Sequence, residues 1–173
     1  MSGTGRSIDM RGTFGGKILT HLSVSQKPDV DLALIITAIV IDIERIGDLT
    51  KNIAELAAGS PAAFDCGELK GEIAELEGIV DGMFADIGPA LKTADQERAR
   101  KILHAHKELS GRVELGLELL RTDKALAGQA GRAVTAALYL RYLKRVSAHL
   151  KNVATSVVNP YHRIGFREKE KKK

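Results

Sequence analysis

The sequence predicts an all-α fold. Three observations support this: an aliphatic composition, long apolar seams at helical spacing, and no segment that alternates between apolar and polar residues as a strand does. The 173 residues are 44% hydrophobic, yet they include no Trp, three Tyr and four Phe. Such a composition favours helices packed through aliphatic side chains, and the length suits a single domain with one buried core.

The longest predicted helix covers residues 30–58. Its apolar residues recur at intervals of three and four and define a seam of Leu32, Ile36, Ile39, Ile43, Ile46, Thr50, Ile53 and Ala57. The helix is expected to end at Ala58–Gly59, because Gly and a following Pro are typical of helix ends.

The same spacing predicts further helices at 17–24, 67–93, 94–122 and 128–158. The predicted apolar seams of the last three are Leu69, Ile73, Leu76, Val80, Met83 and Ile87; Ala99, Ile102, His106, Leu109, Val113, Leu117 and Leu120; and Tyr139, Leu143, Val146, Leu150, Val153 and Val157. Gly88–Pro89 is expected to kink or end the helix at 67–93, since Pro removes a helical hydrogen bond. The sequence Thr93–Gln96 has the form of a capping box, which predicts a helix start there. His106 falls on the apolar seam of the 94–122 helix, which predicts a hydrogen-bonded core histidine.

Both termini are expected to lie outside the bundle. Residues 1–16 are rich in Gly and predict a flexible N-terminus. Residues 159–173 form a basic tail, and the six Lys/Arg and two Glu in 161–173 account for the whole formal charge of +4. We interpret this tail as a solubilising end without specific nucleic-acid binding and at most peripheral to a membrane, although its aromatic first half is suited to packing back on the bundle or docking elsewhere.

The single cysteine, Cys66, excludes an internal disulfide and fits a reducing compartment. The longest apolar run, 32–41, has about half the length of a membrane span. The N-terminus lacks the apolar core of a secretory signal. These features predict a cytoplasmic protein.

Two of the predicted helices share a sequence pattern at a separation of 100 residues. Residues 43–54 align with residues 143–154, and Arg, Lys, Asn and Ala are identical at 45/145, 51/151, 52/152 and 54/154. This pattern indicates an internal duplication.

Glu44 and Asp48 lie one turn apart on the first copy, opposite the seam, and like charges at this spacing repel. Two sources of a compensating positive charge are possible. Either Arg45, Lys51 or a Lys on a neighbouring helix provides it on a solvated face, or a metal ion does.

The segment DIERIGDLTKNIAE resembles the signature helix of the PhoU family, regulators of phosphate uptake and phosphate-responsive signalling. The family is built from tandem three-helix repeats, each ending in this helix. The resemblance therefore implies a PhoU-like helical domain over 17–158, with an incomplete first repeat (17–58) and a complete second repeat (67–158). Val40 and Ile41 would then lack the cover that the missing helices provide, which favours a homo-oligomer or another partner.

The resemblance also implies a function. PhoU proteins carry iron or zinc at the acidic motif, so the resemblance implies a metal at Glu44 and Asp48 of this chain, with Asn52 as a further ligand and Asp42 as an outside candidate. The second copy has Lys144 and Ala148 instead, so no metal is expected there, and we interpret His149 as a structural or surface residue.

The implied role is a non-enzymatic regulator of phosphate transport or phosphate-dependent signalling. It would act by protein–protein contact with a phosphate transporter component or a sensor histidine kinase. The alternative is a metal-free helical adaptor. A four-helix carboxylate metalloenzyme would need Glu-x-x-His pairs on facing helices, and the sequence has none.

Overall fold

A computed structural model describes residues 10–59, 69–122 and 128–168. These residues form five α-helices and include no strand. The helices are α1 (Met10–Val24), α2 (Val30–Ala58), α3 (Leu69–Thr93), α4 (Gln96–Thr122) and α5 (Ala130–Val158), and one turn of 3-10 helix follows at Tyr161–Arg163. The predicted all-α helical bundle is confirmed.

The centre of the bundle is α5, which packs against α2, α3 and α4. Its buried residues include the predicted seam positions Leu143, Val146, Leu150 and Val153. The shared core also takes in Leu76 and Met83 of α3 and Ile102 and Leu109 of α4. Burial of these aliphatic chains supplies the main driving force for the fold.

The helices α3 and α4 run antiparallel and are joined by ion pairs at both ends. Arg112 donates to both carboxylate oxygens of Glu72, at 2.7 and 2.8 Å, and Arg98 donates to Asp86 at 2.9 Å. A kink or an end was expected at Gly88–Pro89. The helix α3 does not end there but continues through Pro89 to Thr93. Burial of Ala90 holds this last turn against the core, and the Thr93 hydroxyl donates to the Pro89 carbonyl at 3.0 Å.

The start of α4 differs in detail from the prediction. The capping side chain is Asp95, which accepts the backbone N–H of Arg98 at 3.0 Å. Thr93 still belongs to α3, and Ala94 turns the chain with a φ of 52°. The cap therefore lies two residues after the predicted one.

At the N-terminus, α1 begins at Met10 although the sequence predicted a start at Lys17. Gly12, Gly15 and Gly16 disfavour a helix by local propensity, and packing against α2 outweighs that cost. Residues 1–9 of the predicted flexible segment lie outside the described residues.

The orientation of α2 corrects the predicted seam. Ile39, Ile46 and Ile53 face the bundle as expected, but Leu32 and Ile43 are exposed and Leu49 is buried. A seam through Ile39, Asp42, Ile46, Leu49 and Ile53 faces α5 instead. Apolar residues lie on several sides of this helix, so spacing alone does not select the buried one. Val40, expected to be uncovered, is also buried, whereas Ile41 is exposed.

Candidate functional site

The three residues assigned to a metal all lie on α2. Glu44 and Asn52 are half-buried, and Asp48 is exposed. The carboxylate of Asp48 accepts a hydrogen bond from the Arg45 guanidinium, Nη1 to Oδ2 at 3.3 Å. Arg45 therefore supplies the positive charge beside Asp48, as the solvated-face interpretation predicts. Asp42, three residues before Arg45, faces α5 instead.

Asp48 and Asn52 also line a shallow depression of about 350 Å³ between α2 and α5. Its other lining residues are Leu49 and three cations, Arg45, Lys51 and Arg145. This excess of positive charge disfavours a divalent cation. Glu44 does not line the depression, so the three assigned ligands do not surround one common space.

Within 10–59, 69–122 and 128–168, no three His, Cys, Asp or Glu side chains lie close enough together to hold a metal. The donor set as placed does not fit iron or zinc. The metal assignment to Glu44, Asp48 and Asn52 stays a prediction, and no step of the function proposed below depends on it.

The carboxylate of Asp42 instead joins α2 to α5. One of its oxygens, Oδ1, lies 2.7 Å from His149 Nδ1 and accepts a hydrogen bond from Asn152 Nδ2 at 3.0 Å. The side chains of Asp42 and His149 are only 16% and 21% exposed. We call these three residues the Asp42 cluster. A half-buried polar cluster that is internally hydrogen-bonded fixes the register of the two helices.

Sequence reasoning identified each member of the Asp42 cluster but did not bring them together. Asp42 was an outside metal candidate, His149 was interpreted as a structural or surface residue, and Asn152 was one of the identical positions of the two aligned segments. One feature of the sequence could have predicted the contact of Asp42 with another helix. Asp42 lies three residues after Ile39 and four before Ile46, on an otherwise apolar seam. A carboxylate at such a position requires a partner on the facing helix.

The two copies of the signature helix lie antiparallel. Asp42 contacts Asn152, whereas Asp48, further along α2, shares the depression with Arg145, which is earlier in α5. Arg45 and Arg145 occupy equivalent positions and line the same depression. This arrangement is the one expected of duplicated helices related by a two-fold rotation.

The motif positions of the second copy contact α4. Lys144, which stands where the first copy has Glu44, pairs with Glu114 of α4. Ser147, which stands in place of Gly47, is fully buried and its hydroxyl lies 2.9 Å from His106 Nδ1. The prediction of a hydrogen-bonded His106 is confirmed. These positions hold α5 against α4.

The equivalent face of α2 has no such cover. On α5, Leu143, Ser147, Leu150 and Ala154 are buried. Their counterparts on α2, namely Ile43, Gly47, Thr50 and Ala54, are all exposed. The reason is length: α1 has 15 residues and α2 has 29, whereas α4 has 27 and accompanies nearly all of α5. We call Ile43, Gly47, Thr50 and Ala54 the open face of α2.

The environment of His106 predicts a pH effect on stability. Burial, together with the charges of Lys151 and Lys144, lowers the pKa of His106 below its usual value of 6.5. The folded state therefore favours the neutral ring, so the stability that His106 contributes is present above pH 6.5 and is lost as pH falls through the folded pKa.

We expect the free energy of unfolding to fall between pH 7.5 and pH 5 more steeply in the wild type than in His106→Gln, as measured by urea denaturation. His104→Gln, an exposed change two residues away, is the matched control and should keep the wild-type slope. Equal slopes in the wild type and His106→Gln would contradict the assignment.

Comparison with known proteins gives one family match. Residues 14–57 match the model of the PhoU domain, and this segment contains most of α1 and nearly all of α2. No curated protein and no solved structure gives a significant match to the chain. None of the helices in the described part of the chain combines the length and the apolarity that a membrane span requires. The match over 14–57 includes the signature segment and shows that this part of the chain is similar to the PhoU domain.

Proposed function

We propose that this protein regulates phosphate transport or phosphate-dependent signalling by docking a helix of a partner protein on the open face of α2. The partner is a component of a phosphate transporter or a phosphate-sensing histidine kinase. The protein acts by contact and not as an enzyme. The observation that carries this proposal is that the open face lies wholly within the segment that matches the PhoU domain.

The contact that α5 makes with its neighbouring helices supports this proposal. The equivalent face of α5 is covered by α3 and α4, with Ser147 and Ala154 at the helix contacts. Small residues at these positions let a neighbouring helix approach closely, and Gly47 and Ala54 provide the same clearance on α2. A Cβ added at Gly47 would meet no atom within 4 Å, so space beside this residue is open to an incoming helix.

Docking of an amphipathic helix on such a face buries apolar surface that is otherwise in contact with water. Ile43 is the natural anchor, since it is the large apolar side chain of the open face. Apolar anchors in the centre of a contact usually carry most of its binding energy. A second copy of this chain is the competing occupant, and the experiment below distinguishes the two.

The test is capture of partner proteins by the full-length chain from phosphate-replete and phosphate-starved cells. We expect a phosphate transporter component or a sensor kinase to be recovered with the wild type and to be lost, by at least tenfold, with Ile43→Glu or Ala54→Arg. Both positions are exposed, so neither change should alter the unfolding transition.

The matched control is Leu115→Glu, which places the same charge on an exposed leucine of α4. This variant should retain the partner. Recovery of no transporter component or kinase in either condition would contradict the proposal. A wild-type dimer that Ile43→Glu converts to a monomer, with no other protein captured, would assign the open face to self-association instead.

A further inference from the structure

A second depression lies on the α4 side of α5, away from the open face of α2. It has a volume of about 510 Å³ and is bounded by α4, α5 and the C-terminal residues 166–168. Its polar lining is dominated by nitrogen donors and a hydroxyl, namely His104, Lys107, Ser110, Lys151 and Arg167. We call this depression the basic pocket.

The C-terminal wall of the basic pocket is held by specific hydrogen bonds. Gly165 adopts a φ of 87°, a left-handed conformation that favours glycine, and its N–H donates to Thr155 Oγ1 at 2.7 Å. The side-chain amide of Asn159 donates to the carbonyls of Arg163 and Phe166, at 3.1 and 2.9 Å. The chain after α5 therefore packs back on the bundle, and Arg167 is brought to the pocket.

The charges of the basic pocket are not balanced internally. Glu168, its only carboxylate among the lining residues, forms an ion pair with Arg100 at 2.8 Å and is neutralised by it. Lys107 and Arg167 form no ion pair with any residue that the structure describes. Three cations thus line the pocket, and none of them forms an ion pair with a carboxylate in the described part of the chain.

Lys151 is the inner cation. Its Nζ donates to the Gly165 carbonyl at 3.0 Å, which leaves two of its three protons for another acceptor. Burial lowers the pKa of Lys151, the charge of Arg167 lowers it further, and Asp42 opposes these effects. A cation whose charge is disfavoured by burial and by a like charge is stabilised when an anion binds beside it.

We propose that the basic pocket binds a multiply charged phosphate, either a condensed phosphate or a small organic phosphate. Lys and Arg donate charge-assisted hydrogen bonds to phosphate oxygens, and the Ser110 hydroxyl adds a neutral donor. The volume lies within the range of small-molecule sites and exceeds the space that a single phosphate fills. This inference does not depend on the docking function, because binding is measured on the isolated protein.

The experiment is calorimetric titration of the full-length chain with tripolyphosphate and, separately, with inorganic phosphate at constant ionic strength. We expect saturable binding of tripolyphosphate that Lys107→Gln and Arg167→Gln each weaken by about tenfold, the effect of one charge-assisted hydrogen bond. Lys70→Gln makes the same change on an exposed lysine of α3, remote from the pocket, and should weaken binding less than twofold.

Tighter binding of tripolyphosphate than of inorganic phosphate supports a condensed or organic phosphate as the ligand. Equal saturable binding of both probes would overturn that ligand class and leave a site for a single phosphate group. No saturable binding of either probe would overturn the proposal. So would equal weakening by Lys70→Gln and Lys107→Gln, which would indicate only diffuse attraction to a basic protein.

Discussion

Replacing Leu140 with Ala is expected to lower the free energy of unfolding by about 3 kcal/mol, the middle of the range for buried Leu→Ala changes. Leu140 is fully buried at the centre of α5. Its Cδ1 would lie only 3.2 Å from a Cβ added at Gly116 of α4, and Leu69 of α3 approaches the same point. The side chain therefore fills the space where three helices meet.

The magnitude follows from how little this site can relax. Gly116 has no side chain to move into the cavity, and the backbone of α4 is held along its length by the packing of Ile102, Leu109 and Val113. Most of the volume left by the removed methyl groups should remain empty, which places the cost above the transfer free energy of the methyl groups alone.

Urea denaturation followed by circular dichroism at a fixed protein concentration measures this loss. Leu115→Ala, a change of the same type at a side chain 68% exposed, is the control and should alter stability by less than about 0.5 kcal/mol. A loss below about 1 kcal/mol for Leu140→Ala would show that α4 and α5 are not closely packed at Gly116.

The helices α3, α4 and α5 could be predicted from the sequence because each has one apolar side. The predicted seams of α3, α4 and α5 match the buried residues, with Leu76, Leu109 and Leu150 among the most deeply buried. One apolar stripe on an otherwise charged helix leaves one way to pack. The α2 helix has apolar residues on several sides, and there the predicted seam was displaced toward Leu49 and Asp42.

The candidate sites could not be predicted from the sequence, because they are formed by contacts between distant segments. The spacing of residues along one helix gives no information about such contacts. The pairing of Asp42 with His149 requires the register between α2 and α5. The basic pocket requires the fold-back of the chain after α5, which the sequence left open between packing and docking. The resemblance predicted an uncovered face on α2 in kind, but the open face contains Ile43 and Gly47 and not Val40.

Asp42→Ala is expected to lower the free energy of unfolding by about 2 kcal/mol, because it leaves two half-buried polar groups without their acceptor. His149 and Asn152 both contact the same oxygen of Asp42. Loss of the carboxylate leaves the imidazole and the amide in a largely dehydrated contact between α2 and α5. The register of these two helices should loosen, and with it the position of the open face.

The comparison with Asp48→Ala makes this test specific. Asp48 is on the same helix, but its side chain is 51% exposed and its partner Arg45 is equally exposed to solvent, at 54%. Exposed ion pairs contribute little to stability, so Asp48→Ala should cost less than about 1 kcal/mol. Equal losses in the two variants would show that the Asp42 cluster is hydrated and does not hold α2 to α5.

A double-mutant cycle then separates the cluster from the general effect of removing a carboxylate. If Asp42 acts through His149, the loss from Asp42→Ala should be smaller in a His149→Ala background, with a coupling free energy of at least about 0.5 kcal/mol. Additive losses would place the contribution of Asp42 elsewhere. Coupling would show that α5 holds α2 in place through this contact. The helix α5, which has Lys144 and Ala148 in place of Glu44 and Asp48, would then position the face of α2 that we propose as the docking surface.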